Sequence, residues 1–475
     1  MLIIPLNAGS SVPLYEQIYQ YLKNEIKIGK LSVATKLPST RGLSSNLQIS
    51  RSTVELAYSQ LISEGYIESK PKSGYYVSKI GDLVALPEIA VQQDKKVSVC
   101  EKKMRFDFNP FTVDINEFPF ATWRRLSNQC MNDMNQSLFL LGQSQGDLSL
   151  RESIGRYLHS SRGVRVEPEQ LIIGAGTDYL LQLLIQILQP AKTIGMENPS
   201  YKRAYQIFHG LGVKVVAIDV KKDGIDIAQL RDSDCELCYV TPSHQYPLGV
   251  VMPISKRLEL LSWASERENR YIIEDDHDSE FRYKGKPIPS LQGIDQNENV
   301  IYIGTFSRAI APAIRMGYMV LPKVLIHHYH QCYSYYASTV SRIDQAIMCQ
   351  FINGGFFERH VNKMRTRYKS KHDTLLRSLK LFQNKIRVTG EYAGLHLVVE
   401  FLLNITEETL IALAQTVEIQ LYGLNRHYLD GKKTKYPTVL MGFANLTELQ
   451  IEEGIHLLYM KLKESKLIID SYEQI

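Results

Sequence analysis

In PLYEQIYQYLKNEIKIG, residues 13–29, Leu14, Ile18, Leu22 and Ile26 recur at every fourth position, which predicts one amphipathic helix ended by Gly29. A second, short helix is predicted in STRGLSSNLQI, with Ser39 as its cap and Leu43 and Leu47 facing inward. The third is the clearest: in SRSTVELAYSQLISEG the apolar stripe is Val54, Ala57, Tyr58, Leu61 and Ile62, and Gly65 supplies the stop. YIESKPKSGYYV then reads as two short strands joined by a basic turn. Three helices followed by a basic hairpin predict a winged helix-turn-helix. The third helix would offer Arg51, Ser52 and Thr53 to bases or phosphates in the major groove, with Lys70 and Lys72 against the flanking backbone or minor groove. Arg41, at the start of the second helix, joins this DNA-facing set.

Periodicity fades after Lys79, and KIGDLVALPEIAVQQDKKVSVCEKK reads as a linker. From Arg105 onward, strand-like runs (LIIGAG, TIGMENP, VKVVAIDV, LCYVTPS, YIIEDDHD, VIYIGTF, MGYMVLP) alternate with helical ones, which predicts an α/β domain with a mainly parallel sheet. Polar clusters fall at the strand ends, where such folds build their sites: GAGTD, ENPSYKR, TPSHQYPLG, EDDHD and GTFSR. The expected organisation is a DNA-binding domain at 1–80, a linker at 81–104 and a larger domain at 105–475.

Composition adds four points. The N-terminal apolar run is too short for a signal peptide and no later stretch approaches the roughly 18 apolar residues of a spanning helix, so a cytoplasmic protein without membrane partners is expected. Six scattered cysteines form no disulfide framework, and the single CxxC, Cys235 and Cys238, lacks the second pair a zinc site needs, so no metal is expected. His327, His328 and His330 sit in a Tyr-rich stretch and read as a helix surface or interface. The formal charge is +5, and residues 1–80 carry nine basic side chains against five acidic ones, which points to a polyanion partner for that part only.

PLYEQIYQYLKNEI, KLPSTRGLSSNLQISRSTVELAYSQLISEGYI and SGYYV together resemble the GntR class of bacterial transcription regulators. The clusters of the large domain resemble, in order and spacing, the fold type I aminotransferases dependent on pyridoxal phosphate. The whole chain is thereby similar to the MocR/GabR subfamily, regulators in which an aminotransferase-like domain serves as ligand sensor. The resemblance implies a homodimer held by the large domain, promoter DNA as partner and a small-molecule effector.

It also implies a pocket. Gly174, Ala175, Gly176 and Thr177 open a helix and would hold a phosphate on backbone N–H groups, with Thr305, Ser307 and Arg315 as further phosphate contacts. Asp275 matches the aspartate that pairs with the pyridine nitrogen, and Tyr201 the aromatic stacked on the ring. Arg203 matches a position near the ligand and Arg426 the arginine that grips a substrate carboxylate. Two positions depart from the pattern: His277 replaces a tyrosine that donates to the ring's phenolic oxygen, and Arg308 stands where the family has its Schiff-base lysine. Arginine stays protonated and is no nucleophile at neutral pH, so catalytic residues are expected to be absent and pyridoxal phosphate is expected to be held without a covalent link. The freed guanidinium would be suited to clasping an anionic effector. Lys202 is a conceivable substitute amine. A working aminotransferase with an appended winged helix is the alternative, and a large domain that only dimerises is a third reading.

Overall fold

Leu14–Lys27 (α1) buries Ile18, Tyr19, Leu22 and Ile26, the face its four-residue period predicts. A two-residue strand, Lys36–Leu37 (β1), follows; it is too short to carry a period and was not expected. Thr40–Leu47 (α2) starts at Ser39, whose side chain accepts from Gly42 N at 3.0 Å. Arg51–Ser63 (α3) is capped in the same way by Ser50 and buries Val54, Ala57, Tyr58 and Leu61. Ile62, expected in this stripe, is 38% exposed, because with Leu61 pointing inward its neighbour is turned about 100° away. Ile67–Lys70 (β2) and Gly74–Val77 (β3) form the predicted hairpin, and β1 pairs antiparallel with β3, giving a sheet of order β1-β3-β2. Tyr58 locks wing to helix: its ring meets Tyr75 edge-on at 4.9 Å and its hydroxyl donates to Pro38 O at 3.0 Å.

The computed structural model describes residues 4–7, 9–79, 104–188, 193–283 and 288–468, and the expected linker lies outside them but for its last position. By internal packing the chain divides into Met1–Glu101 and Lys102–Ile475.

All seven strand-like runs of the second unit form strands: Leu171–Gly174 (β4), Thr193–Asn198 (β5), Lys214–Lys221 (β6), Leu237–Val240 (β8), Tyr271–Asp275 (β9), Val300–Thr305 (β10) and Gly317–Val320 (β11). With Gly224–Ile225 (β7) they make an eight-stranded sheet, order β4-β11-β10-β9-β8-β5-β6-β7. The pairings among β6, β5, β8, β9 and β10 are parallel, while β11 runs antiparallel to both its neighbours and β7 to β6. Strands β4, β5, β8, β9 and β10 therefore end on one edge of the sheet, where the polar clusters begin. Thr177–Ile187 (α4) and Lys202–Gly210 (α5) leave that edge after β4 and β5; α4 buries Leu180, Leu181, Leu183 and Leu184 on the sheet.

A second sheet was not read from the sequence. Ile386–Thr389 (β12), His396–Phe401 (β13), Tyr422–Gly423 (β14) and Thr438–Gly442 (β15) pair antiparallel in the order β12-β13-β15-β14. Phe356–Leu379 (α6) and Glu448–Glu464 (α7) cover it, and Met364, Tyr368 and Leu375 meet Leu397, Val399, Ile455 and Leu458 in one core. Among the described residues no helix is long and apolar enough to cross a membrane.

Candidate functional site

A cavity of about 490 Å³ opens at the carboxyl ends of the parallel strands, lined by Gly176, Thr177, Tyr201, Arg203, Asp275, His277, Thr305, Ser307, Arg308, Arg315 and Arg426 of the expected pocket, while Gly174 and Ala175, expected with them, do not line it. Residues from five strand ends meet there with Arg426 and His427, from the short helix after β14.

At one end of the cavity Gly176, at φ +85°, caps α4. A Cβ here would lie 3.2 Å from the guanidinium carbon of Arg315, so glycine is what lets that cation approach the helix start. Arg315 and Arg203 converge on one carboxylate, Asp178 Oδ2, at 3.3 and 3.1 Å. Both arginines are at least half exposed, and two cations on one carboxylate leave this corner net positive beside the helix N-terminus. Ser307 N donates to Thr305 Oγ1 at 3.1 Å, which orders the turn after β10.

Opposite lies Asp275, the last residue of β9. Burial pushes its carboxyl up to about 6, against a 2.5 Å hydrogen bond from the Tyr239 hydroxyl that favours the charged form. Tyr201, Phe111 and Tyr246 crowd together, with ring centroids 5.5 to 6.2 Å apart. Burial, with the Arg308 cation nearby, lowers His277 to about 4, so its ring is neutral at physiological pH. Its Nε2 lies 3.4 Å from Asp278 Oδ2 without hydrogen-bond geometry, and like the buried Tyr246 hydroxyl it has no hydrogen-bond partner among the described residues. Arg426, exposed in the short Asn425–His427 helix, places its guanidinium carbon 5.1 Å from the Tyr422 ring centroid.

Position 308 behaves differently from the expectation of a free fork. Arg308 Nε and Nη2 each donate to Asp278 at 2.8 Å, a bidentate pair, and Nη1 donates to Pro110 O at 3.0 Å. Asp278 is fully buried and also accepts from Leu395 N at 3.2 Å, beside the start of β13. The guanidinium therefore ties the loop after β9 to the segment at Pro110 and, through Asp278, to the second sheet. The idea that it clasps an anionic ligand is corrected: a fork used on Asp278 is not free for a second carboxylate.

Sequence reasoning passed over Tyr239, Tyr246, Asp178 and Asp278, although each falls in or next to a quoted cluster. What was missing is direction: alternation along a strand end does not say which side chain turns into the cavity. Phe111 carried no signal, since it arrives from a distant segment. Asp276, also at the wall, is fully engaged by Arg162 at 2.8 and 2.9 Å, Tyr302 at 2.5 Å and Ser279 at 2.8 Å.

In the N-terminal unit Arg41, Arg51, Ser52, Lys70 and Lys72 are exposed, and Thr53 is half-buried against the Ser50 cap at 2.7 Å. Arg51 meets Glu55 at 2.7 Å and Lys70 meets Glu68 at 2.9 Å; such exposed pairs are worth little and yield readily to phosphate.

A winged helix joined to a fold type I sheet with polar strand ends defines a class: DNA-binding regulators built on an aminotransferase scaffold. Residues 14–77 match the gntR family of bacterial regulatory proteins and residues 101–453 match the class I and II aminotransferases. The chain belongs to the GntR family, in its MocR-like group with an aminotransferase domain. It is 40% identical to the uncharacterised HTH-type transcriptional regulator YdeL of Bacillus subtilis strain 168, over 95% of this chain and 97% of that one. It is 31% identical to the probable rhizopine catabolism regulatory protein MocR of Rhizobium meliloti, over 96% of this chain and 94% of that one. The fold of the large unit is that of Pyrococcus horikoshii kynurenine aminotransferase, with a TM-score of 0.67 and 24% identity over 76% of this chain and 91% of that one.

Proposed function

We propose that the protein is a transcription regulator whose residues 1–80 read promoter DNA and whose residues 105–475 dimerise and bind a small-molecule effector without turning it over. The effector class is pyridoxal phosphate, an amino acid, or the two together. The observation that carries the reading is Arg308: at the position of the family's lysine stands a group that cannot lose its charge and is locked on Asp278.

The residues present fit a non-covalent pyridoxal phosphate. Gly176 brings Arg315 up to the helix start, so that a phosphate beside them would meet a cation and backbone N–H groups together, with Thr177, Thr305 and Ser307 adding hydroxyls. Asp275, held by Tyr239, would keep a proton on the pyridine nitrogen, and the unpartnered Tyr246 hydroxyl and His277 Nε2 offer hydrogen bonds to an oxygen on the ring. When bound, the cofactor supplies an electrophilic aldehyde. Arg308 offers it no amine, and Arg203 and Arg426 at the mouth suit the carboxylate of an amino acid. A regulator acting on DNA works inside the cell.

The test is to titrate the full-length protein, bound to a DNA site it selects, with pyridoxal phosphate, with amino acids and with both, following DNA affinity and keto-acid formation together. A change in affinity without keto acid supports the reading. Catalytic keto-acid production would establish the aminotransferase alternative.

A further inference from the structure

The near-neutral charge of the large unit conceals a strong local asymmetry. Residues 359–387 contain ten lysines and arginines and a single acidic residue, Asp373. Most of this block is helix α6, whose exposed side carries Arg359, Lys363, Arg367, Lys369 and Arg377, with Lys380 at its end. Twenty-one residues separate the first and last of these cations, about 30 Å along a helix. Lys371 is set apart from them, buried against Asp114 at 2.7 Å.

Acidic neighbours do not neutralise the stripe. Glu117 is shared by Lys363 and Arg367, and Arg377 meets Glu452 at 3.0 Å. Lys369, Lys380 and Lys385 have no ion-pair partner among the described residues. Between the cations the exposed positions are Asn362, Thr366 and Ser370, side chains that donate to phosphate oxygens, and one carboxylate, Asp373. No large apolar residue of α6 is exposed and Leu381, just past its end, is exposed by itself at 43%, whereas a helix seated on a membrane surface needs a row of such residues on the face that enters the lipid.

We propose that this face of α6, continued through Lys380 and Lys385, is a second DNA-contact surface, which takes the phosphate backbone of duplex flanking the site read by the winged helix. The inference rests on the DNA-binding reading above and goes beyond the expectation that the first 80 residues meet a polyanion. Its contacts are electrostatic and independent of sequence, so they add affinity and salt dependence without adding specificity.

The experiment compares the full-length protein with Lys369→Ala/Lys380→Ala/Lys385→Ala. Two duplexes are used: a 20-base-pair site selected by the protein from a random pool (about two helical turns), and the same site centred in roughly 80 base pairs. On the long duplex the triple variant is expected to bind about tenfold more weakly near physiological salt, with the slope of log affinity against log salt shallower by about two to three. On the short duplex the two proteins are expected to match, and the Lys→Arg triple variant is expected to bind the long duplex like the parent. Equal affinities on the long duplex, or equal losses on both, would overturn the inference. If the pool yields no site, the DNA-binding reading fails and the inference with it.

Discussion

Replacing Arg308 by methionine keeps most of the side chain's volume and removes its charge. Asp278 is then left as a buried carboxylate with Leu395 N as its remaining donor, and Pro110 O loses its partner. In the intact protein burial raises the Asp278 carboxyl while Arg308, the largest opposing influence, brings it well below the usual carboxylate range. Breaking a buried ion pair from one side costs about 3–5 kcal/mol, mainly the penalty of the stranded charge. In urea unfolding of the large domain this amounts to a midpoint lowered by on the order of 1 M. The sign with pH follows from the two carboxyls. The depressed group of the parent contributes stability above the unfolded value near 4, lost as pH falls further, whereas the stranded group of the variant is relieved by taking a proton. The deficit is therefore largest near neutral pH and narrows towards pH 4. Arg308→Met/Asp278→Leu, which removes both charges, is expected to recover most of the loss. Equal midpoints for parent and Arg308→Met at pH 7, or a double variant worse than the single one, would refute the clamp.

Binding of pyridoxal phosphate should weaken as pH falls below about 6, because Asp275 then takes the proton that a cationic ring nitrogen needs it to lack; Asp275→Asn should remove that inflection in a fluorescence titration. Arg51→Ala should weaken binding to the selected site by about 1–3 kcal/mol, whereas Lys72→Ala should weaken all sequences alike and lower the salt slope by about one, both read in a salt-controlled shift assay. The mass in solution at micromolar concentration should be that of a homodimer, and a strictly monomeric mass would count against dimerisation through the large domain.

The winged helix was legible because its information is local. Every helix has a cap or a four-residue period, and Lys-Pro-Lys-Ser-Gly is a turn by composition alone. In the large domain the buried parallel strands were legible as apolar runs ending in polar clusters, and those ends carried the pocket. The second sheet was not, since its strands end in no polar cluster of the kind that marked the parallel ones, and Tyr422–Gly423, with two residues, is too short to show alternation. The role of Arg308 was half legible. Its chemistry follows from residue type, but its partner Asp278 is thirty positions away, and only the fold shows that the fork is engaged.

We propose that the pocket holds its ligand without covalent attachment to the chain. The most direct test incubates the full-length protein with pyridoxal phosphate, reduces it with borohydride and maps the peptides by mass. Saturable binding with no pyridoxyl group on any lysine is the predicted result, and Arg308→Lys, treated identically, should carry one at position 308. A pyridoxyl group on a lysine of the unaltered chain at stoichiometric yield, Lys202 above all since it lines the cavity, would contradict the account.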